Sequence, residues 1–285
     1  MIKLNSSIST LKLIGKYNWF HYFFIIDPIK LKLIKDSKLA AIAFSTLIME
    51  NNTSKQTNVN RFKDLEEITI KYLTESLDYK ILDIGVSSGI TSCELLELLK
   101  KRDIQFTLYA TDKYPEIKFY KNIFFTAYLD SNNKVKSIYT GLFFFSDLLS
   151  WKYFLSKLFF KILSKFIVIK NNKVDHCSLL YQNFNELILN KKIVFFEHDI
   201  INPLNEKNFE LVRVMNLLNL GYFSNDFITT SIENIKKSIK ENGMLLVGRT
   251  INGKNHASLY KLKRDKFTLI ESVNRGSEIH DLIIR

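Results

Sequence analysis

Hydrophobic positions along this chain follow two rhythms, and the boundaries between them divide it into elements. Residues 79–84 are a short, mainly apolar segment, interrupted by Lys80 and Asp83, that ends in Gly85-Val86-Ser87-Ser88-Gly89, after which the apolar residues of 90–101 return at helical spacing. The pattern predicts a buried strand, a tight turn and a helix. A second apolar run over 106–110 stops at Thr111-Asp112, so strand, glycine turn, helix and strand fit within about 35 residues as a βαβ unit. Its crossover is expected to be right-handed. Upstream, Leu65, Ile68, Ile70, Tyr72 and Leu73 predict a helix over 61–77. Downstream, strands are predicted at 192–196, 209–215, 244–247, 258–262, 267–273 and 280–284. A helix over 225–240 runs up to Asn242-Gly243, where a glycine C-cap belongs. Helices alternating with strands that read as buried give the class, a doubly wound α/β sheet.

Two stretches break that rhythm. Between Asp112 and the strand near Phe195 lie about eighty residues, where a minimal crossover unit needs about 30. Residues 116–145 alternate as a hairpin around Asp130-Ser131-Asn132-Asn133, and 146–169 are helical in period. Turned at about 100° per residue, Asp147, Ser150, Lys157, Lys161, Ser164 and Lys165 share a narrow arc opposite a wide apolar one. The expectation is a hairpin plus a lysine-edged amphipathic helix, inserted over 116–172. Residues 1–60 mix short apolar stretches with lysine and end in the polar segment 51–58, which predicts a basic helical extension ahead of a domain at 61–285.

Composition and charge add a partner to this picture. With 285 residues, 46% of them hydrophobic, and only 9 Gly and 3 Pro, the chain is globular rather than collagen-like or disordered. Cys93 and Cys177 are its only cysteines, so a disulfide framework and a structural zinc site are excluded within one chain. His176 beside Cys177 has no further ligand at metal spacing, and no metal is expected. The net charge of +12 fits either an anionic partner or compositional drift in a Lys-, Asn- and Ile-rich chain, and its distribution says where a partner would be sought. Residues 113–173 hold 11 Lys against Glu116, Asp130 and Asp147, for +8; residues 1–60 add +5; the remainder is at −1. No run reaches the roughly 18 residues needed to span a bilayer. The longest N-terminal apolar run, 19–26, contains His21 and meets Asp27-Pro28 rather than a small-residue cleavage site. A cytoplasmic protein is expected, with peripheral contact to an anionic membrane open. For the insertion, the ranking is a lid over the substrate or sheet edge, then a membrane surface, then nucleic acid, because the lysines are interleaved with aliphatic residues.

The glycine turn carries the chemistry. Asp83-Ile84-Gly85-Val86-Ser87-Ser88-Gly89 has the spacing D-x-G-x-x-x-G, with Ser87 and Ile90 where a dinucleotide fingerprint would have its second and third glycines. Here the chain resembles the class I S-adenosylmethionine-dependent methyltransferases, whose first motif is an acidic residue, an apolar residue and a Gly-rich turn; Ser87 replaces their usual middle glycine. The resemblance implies a Rossmann-like seven-stranded sheet and S-adenosylmethionine as cofactor. It assigns Asp83, Gly85, Ser87 and Gly89 to the cofactor loop, Asp112 to the ribose hydroxyls, and Asp199 to the adenine amino group with Ile200 beside it. The segment from Phe209 to Asn219 is similar to chemotaxis-type protein-glutamate methyltransferases, where a polar residue after the strand, here Asn216, faces the methyl donor.

Methyl transfer from a sulfonium needs mainly alignment and desolvation, so a catalytic residue is less readable than a cofactor loop. Arg213, Asn219, Tyr222 and His256 are the candidates. Arg213 is placed to clamp a carboxylate or phosphate or, equally, to form an internal ion pair. The preferred acceptor is a small or lipid-like molecule, modified on oxygen or carboxyl. Two other classes compete. One is a non-catalytic cofactor-binding or membrane-associated protein. The other is a serine hydrolase, since Gly85-Val86-Ser87-Ser88-Gly89 also matches a nucleophile elbow and Ser87, Asp199 and His256 follow in hydrolase order.

Overall fold

The computed structural model describes residues 29, 31, 34–45, 55, 57–73, 78–141, 143–147, 154–169 and 173–285. The apolar run 19–26 and residues 148–153 of the predicted insertion helix lie outside them. In chain order the elements begin with α1 Ser37–Ser45, α2 Lys63–Ile70, β1 Asp78–Ile84, α3 Ile90–Lys101 and β2 Gln105–Asp112. There follow β3 Glu116–Lys121, β4 Thr126–Leu129, β5 Val135–Tyr139, β6 Phe144–Ser146, α4 Phe154–Phe166, β7 Val174–Ser178 and α5 Gln182–Leu189. The chain ends with β8 Ile193–Glu197, β9 Phe209–Met215, α6 Asn225–Ser238, β10 Ile239–Ile251, β11 Lys254–Lys263, β12 Lys266–Val273 and α7 His280–Ile283. These elements fall into two compact units. One comprises Asn60–Lys113 with Phe184–Arg285, the other Met1–Val59 with Tyr114–Asn183.

The first unit is built on a seven-stranded sheet of order β12-β11-β10-β9-β1-β2-β8. The five strands from β10 to β8 pair in parallel, and β11 and β12 add an antiparallel meander at one edge. Side chains alternate across the sheet. On one face Leu82, Ile84, Val212, Val214, Leu245 and Val247 pack with Ile228, Ile232 and Ile235 of α6 and with Ile279 and Ile283 at α7. On the other face α2 lies over Leu246, Ala257 and Leu259, and α3 sends Ser92 to Asp83 of β1. With both faces covered, the parallel strands are apolar on both sides along much of their length. The last segment, 280–284, was expected as a strand and is instead the short helix α7. Ile279 and Ile283 stand four residues apart and are both buried, and Tyr260 Oη meets His280 Nδ1 at 3.0 Å. One helical turn buries that pair, whereas a strand would separate its faces differently.

The second unit holds a five-stranded antiparallel sheet of order β6-β5-β4-β3-β7. The single hairpin expected over 116–145 is a four-stranded meander, and β7 pairs with β3 to complete it. Ala127, Leu129, Val135 and Ile138 form its small core with Phe160 of α4. Phe160 is the only residue of α4 that is buried.

Candidate functional site

In the parallel part of the first unit the chain moves outward from β1 to β2 to β8 on one side and from β9 to β10 on the other. The order therefore reverses between β1 and β9, and the carboxyl ends of those strands flank the crevice where open α/β sheets bind ligands. The glycine turn leaves β1 at that point. Its amides Gly85 N and Val86 N both donate to Thr111 O of β2, at 2.8 and 3.0 Å, which fastens the turn to the neighbouring strand. Gly85, Ser87 and Gly89 all have left-handed backbones, at φ +74°, +60° and +83°. A Cβ on Gly89 would come within 2.2 Å of the Phe184 ring, and one on Gly85 within 2.8 Å of Leu217. Ser87 holds a conformation that glycine adopts freely and a side chain adopts at some cost.

Asp112 closes on this turn. Its Oδ2 accepts from Ser87 N at 2.7 Å, which puts a carboxylate from the end of β2 directly against the loop. One strand further out, His198 N donates to Asp112 O, and Asp199 follows. Asp199 pairs with Lys113 Nζ at 2.6 Å, a partner that sequence reasoning overlooked although it stands next to Asp112. Burial holds His198 below its ordinary imidazole value against the opposing pull of Asp199. Ser88 Oγ and Thr111 Oγ1 are buried and unpartnered in the described structure, two polar atoms beside the same turn.

Four of the expected residues have partners inside the fold. Asp83 is not open to a ligand: Arg213 Nε and Nη2 reach its two oxygens at 3.0 and 2.6 Å, and Ser92 Oγ donates to it at 2.6 Å. Arg213 is equally committed, since its Nη1 also meets Glu66 at 2.5 Å and its side chain is 2% exposed. Burial alone would lower Arg213, but the two carboxylates more than reverse this and hold it above its ordinary value. Of its two expected readings, Arg213 takes the internal ion pair. Ile200 is buried in the core on the α6 face. Asn216, at φ +54°, spends its side-chain oxygen on Thr250 N at 2.8 Å and ties the end of β9 to β10.

The remaining candidates sit beyond β9 and on β11. Asn219 is buried and its side-chain oxygen accepts from Gly221 N, so it shapes the turn after β9. Tyr222 is exposed. His256 lies on β11, where its Nδ1 accepts from Arg275 N at 3.2 Å. Ser87, Asp199 and His256 do not bond to one another, so the hydrolase arrangement is not assembled. Nearby, Glu278 accepts from Arg249 Nη1 at 2.5 Å and from Leu220 N. Cys93 is inert, its thiol pushed up to about 12 by burial and by Glu97 and Glu94. Among the described residues no group of His, Cys, Asp and Glu is arranged to hold a metal ion.

A recess of about 650 Å³ opens where β10 turns into β11, lined by Arg61, Lys63, Asp64, Glu67, Lys254 and Asn255 among others. Arg61 Nε donates to Thr250 Oγ1, and Asn255 Nδ2 to Asp64, so its wall is hydrogen-bonded and polar.

No protein-family model and no curated protein sequence matches the chain. Solved structures similar to it include carbon methyltransferases, S-adenosylmethionine-dependent methyltransferases and a [4+2]-cyclase. The methyltransferase domain of the citrinin polyketide synthase aligns with a TM-score of 0.32 at 15% identity, over 66% of this chain and 34% of that one. The CurJ carbon methyltransferase aligns at 0.38 and 12%, over 80% and 43%. A methyltransferase from Methanosarcina mazei aligns at 0.31 and 14%, over 64% and 56%. The chain thus spans less than two thirds of the length of each. Likeness this distant leaves fold and activity to be argued from the sheet and the loop themselves.

Proposed function

We propose that the chain binds S-adenosylmethionine at the turn Gly85–Gly89 and transfers its methyl group to a small polar acceptor. The observation that carries this reading is the Asp112 carboxylate set against Ser87 N, at the point where the strand order reverses. A carboxylate there accepts hydrogen bonds from both hydroxyls of a ribose, and Asp199, just past the end of β8, suits an adenine amino group. The unpartnered Ser88 and Thr111 hydroxyls add donors beside the same turn. Gly85, Ser87, Gly89, Asp112 and Asp199 make the cofactor set in this reading; Asp83 instead braces the turn from beneath, through Arg213 and Ser92. When bound, the cofactor supplies a methyl group on a positively charged sulfur. The residues of this chain then have to orient the acceptor and keep water out, work that needs no general acid or base unless the acceptor must first lose a proton.

The polar recess between α2 and the β10–β11 turn is the acceptor site in this proposal. Its mixture of Arg61 and Lys63 with Asp64 and Glu67 favours a small molecule with polar or charged groups over a lipid chain. The Rossmann-like assignment of the first unit belongs to the same reading. Methyl transfer from labelled S-adenosylmethionine to a panel of small carboxylic and hydroxylic acids tests it. Transfer that is lost in Asp112→Ala is the expected result. Labelling of Ser87 by a fluorophosphonate, with no transfer to any acceptor, would turn the assignment to a hydrolase.

A further inference from the structure

Among its described residues the second unit carries an exposed apolar surface. Successive turns of an antiparallel meander alternate between its two ends, so the β3–β4 turn and the β5–β6 turn lie at the same end. They are two strand spacings apart, roughly 10 Å. Both tips are apolar: Ile123 is 90% exposed, Phe124 76% and Phe143 52%. Asn122 Oδ1 accepts from Phe124 N and Phe125 N, which fixes the first tip as a rigid turn. Ser156 Oγ of α4 donates to Phe144 O, at the start of β6, so the first turns of α4 are at this end too. Ring contacts link Phe143 to Phe145 and Phe145 to Phe159. From there Phe154, Leu155, Leu158, Phe159, Ile162 and Phe166 run as one exposed face along α4.

The charges around this face are sorted. Lys157, Lys161 and Lys165 form a row along the edge of the α4 face. Lys121 and Lys173 are exposed at the tip end of β3 and β7. Glu116, at the start of β3, and Asp130, in the β4–β5 turn, lie at the opposite end, and Asp147 follows β6 as it runs away from the tips. Asp175 of β7, opposite Phe119, is the nearest acid to the tips on the sheet. Aromatic tips and an apolar helix face edged by lysine, with Asp175 the nearest described acid on the sheet, match an interface between hydrocarbon and anionic headgroups.

We infer that this end of the second unit docks on an anionic phospholipid bilayer, with Ile123, Phe124, Phe143 and the α4 face inserted about 5–10 Å into the headgroup boundary. The inference stands independently of the methyl-transfer reading. No helix among the described residues is long and apolar enough to cross a membrane, so contact here is with one leaflet. The test is co-sedimentation of the full chain with phosphatidylcholine vesicles, with and without phosphatidylglycerol. Binding is expected only with the anionic lipid, and to weaken about fivefold for each of Lys157, Lys161 and Lys165 replaced by glutamine. Phe124→Glu with Phe143→Glu should abolish it. With Trp19 and Trp151 replaced by phenylalanine, the emission of Phe124→Trp should shift to the blue on vesicles and be quenched by brominated acyl chains. Equal binding to neutral vesicles, binding indifferent to both sets of variants, or a tryptophan that stays in water overturns the inference. So does a concentration-dependent dimer that Phe124→Glu dissolves while vesicles are ignored, which would make the occupant a second copy of the chain.

Discussion

Helices α6 and α4 have almost the same length, 14 and 13 residues, and both are amphipathic by sequence, yet they meet opposite fates. In α6 the apolar residues Ile228, Ile232 and Ile235 are all buried against the sheet, Ser224 caps the first turn by accepting from Phe227 N, and Lys236 and Lys237 stand in the last. In α4 the fold buries Phe160 and leaves the larger part of the apolar arc outside. The difference is one of available partners. The wide parallel sheet offers α6 a full face, while the short strands β4 and β5 offer α4 only a narrow strip. An apolar stripe therefore predicts a helix and the direction it faces, but not whether this chain supplies the cover.

Substitutions can break or sharpen that contrast. The largest effect is expected at the buried ion pair beneath the glycine turn. Arg213→Met leaves Asp83 and Glu66 buried without their cation and should destabilise the first unit by about 3–5 kcal/mol in denaturant titrations. Next comes Ile232→Ala in α6, expected to cost about 2–5 kcal/mol by opening a cavity in the core. A smaller effect is expected from pH. Burial holds Glu66 above its ordinary value of 4.5, with Arg213 opposing. Its folded form thus favours the protonated carboxyl, and that contribution is present below 4.5 and lost as pH rises through the raised value. Glu66→Gln should flatten this fall in melting temperature with rising pH; an unchanged slope would place its origin elsewhere. Smallest is Ile162→Ala on the open face of α4, which should change stability by no more than about 0.5 kcal/mol. A loss there as large as at Ile232 would mean that α4 is covered after all.

Much of the first unit was legible from local pattern. The strands at 79–84 and 209–215 and the turn at Gly85–Gly89 stand where apolar runs and glycine put them, because buried parallel strands and tight turns each leave a short-range signature. Asp112 was legible for the same reason, as the acid that ends a strand. What escaped depends on distant partners. Asp83 looked like a ligand residue because nothing near it in sequence reveals Arg213, 130 positions away, or Glu66, 147 positions from that arginine. Asn216 looked like a polar residue facing a ligand, and its bond to Thr250 only exists once β9 and β10 pair. In the second unit β7 was missed because Val174-Asp175-His176-Cys177-Ser178 alternates too weakly to declare itself without β3 beside it.

The central claim is that the turn held by Asp112 is a cofactor site, and calorimetric titration with S-adenosylmethionine and S-adenosylhomocysteine tests it most directly. The account predicts a saturable one-to-one isotherm for both, weakened about tenfold or more in Asp112→Ala through the lost charge-assisted hydrogen bonds. It predicts no change in Phe124→Glu, which lies in the other unit. Absence of heat with either compound, from protein that is folded by circular dichroism, would contradict it.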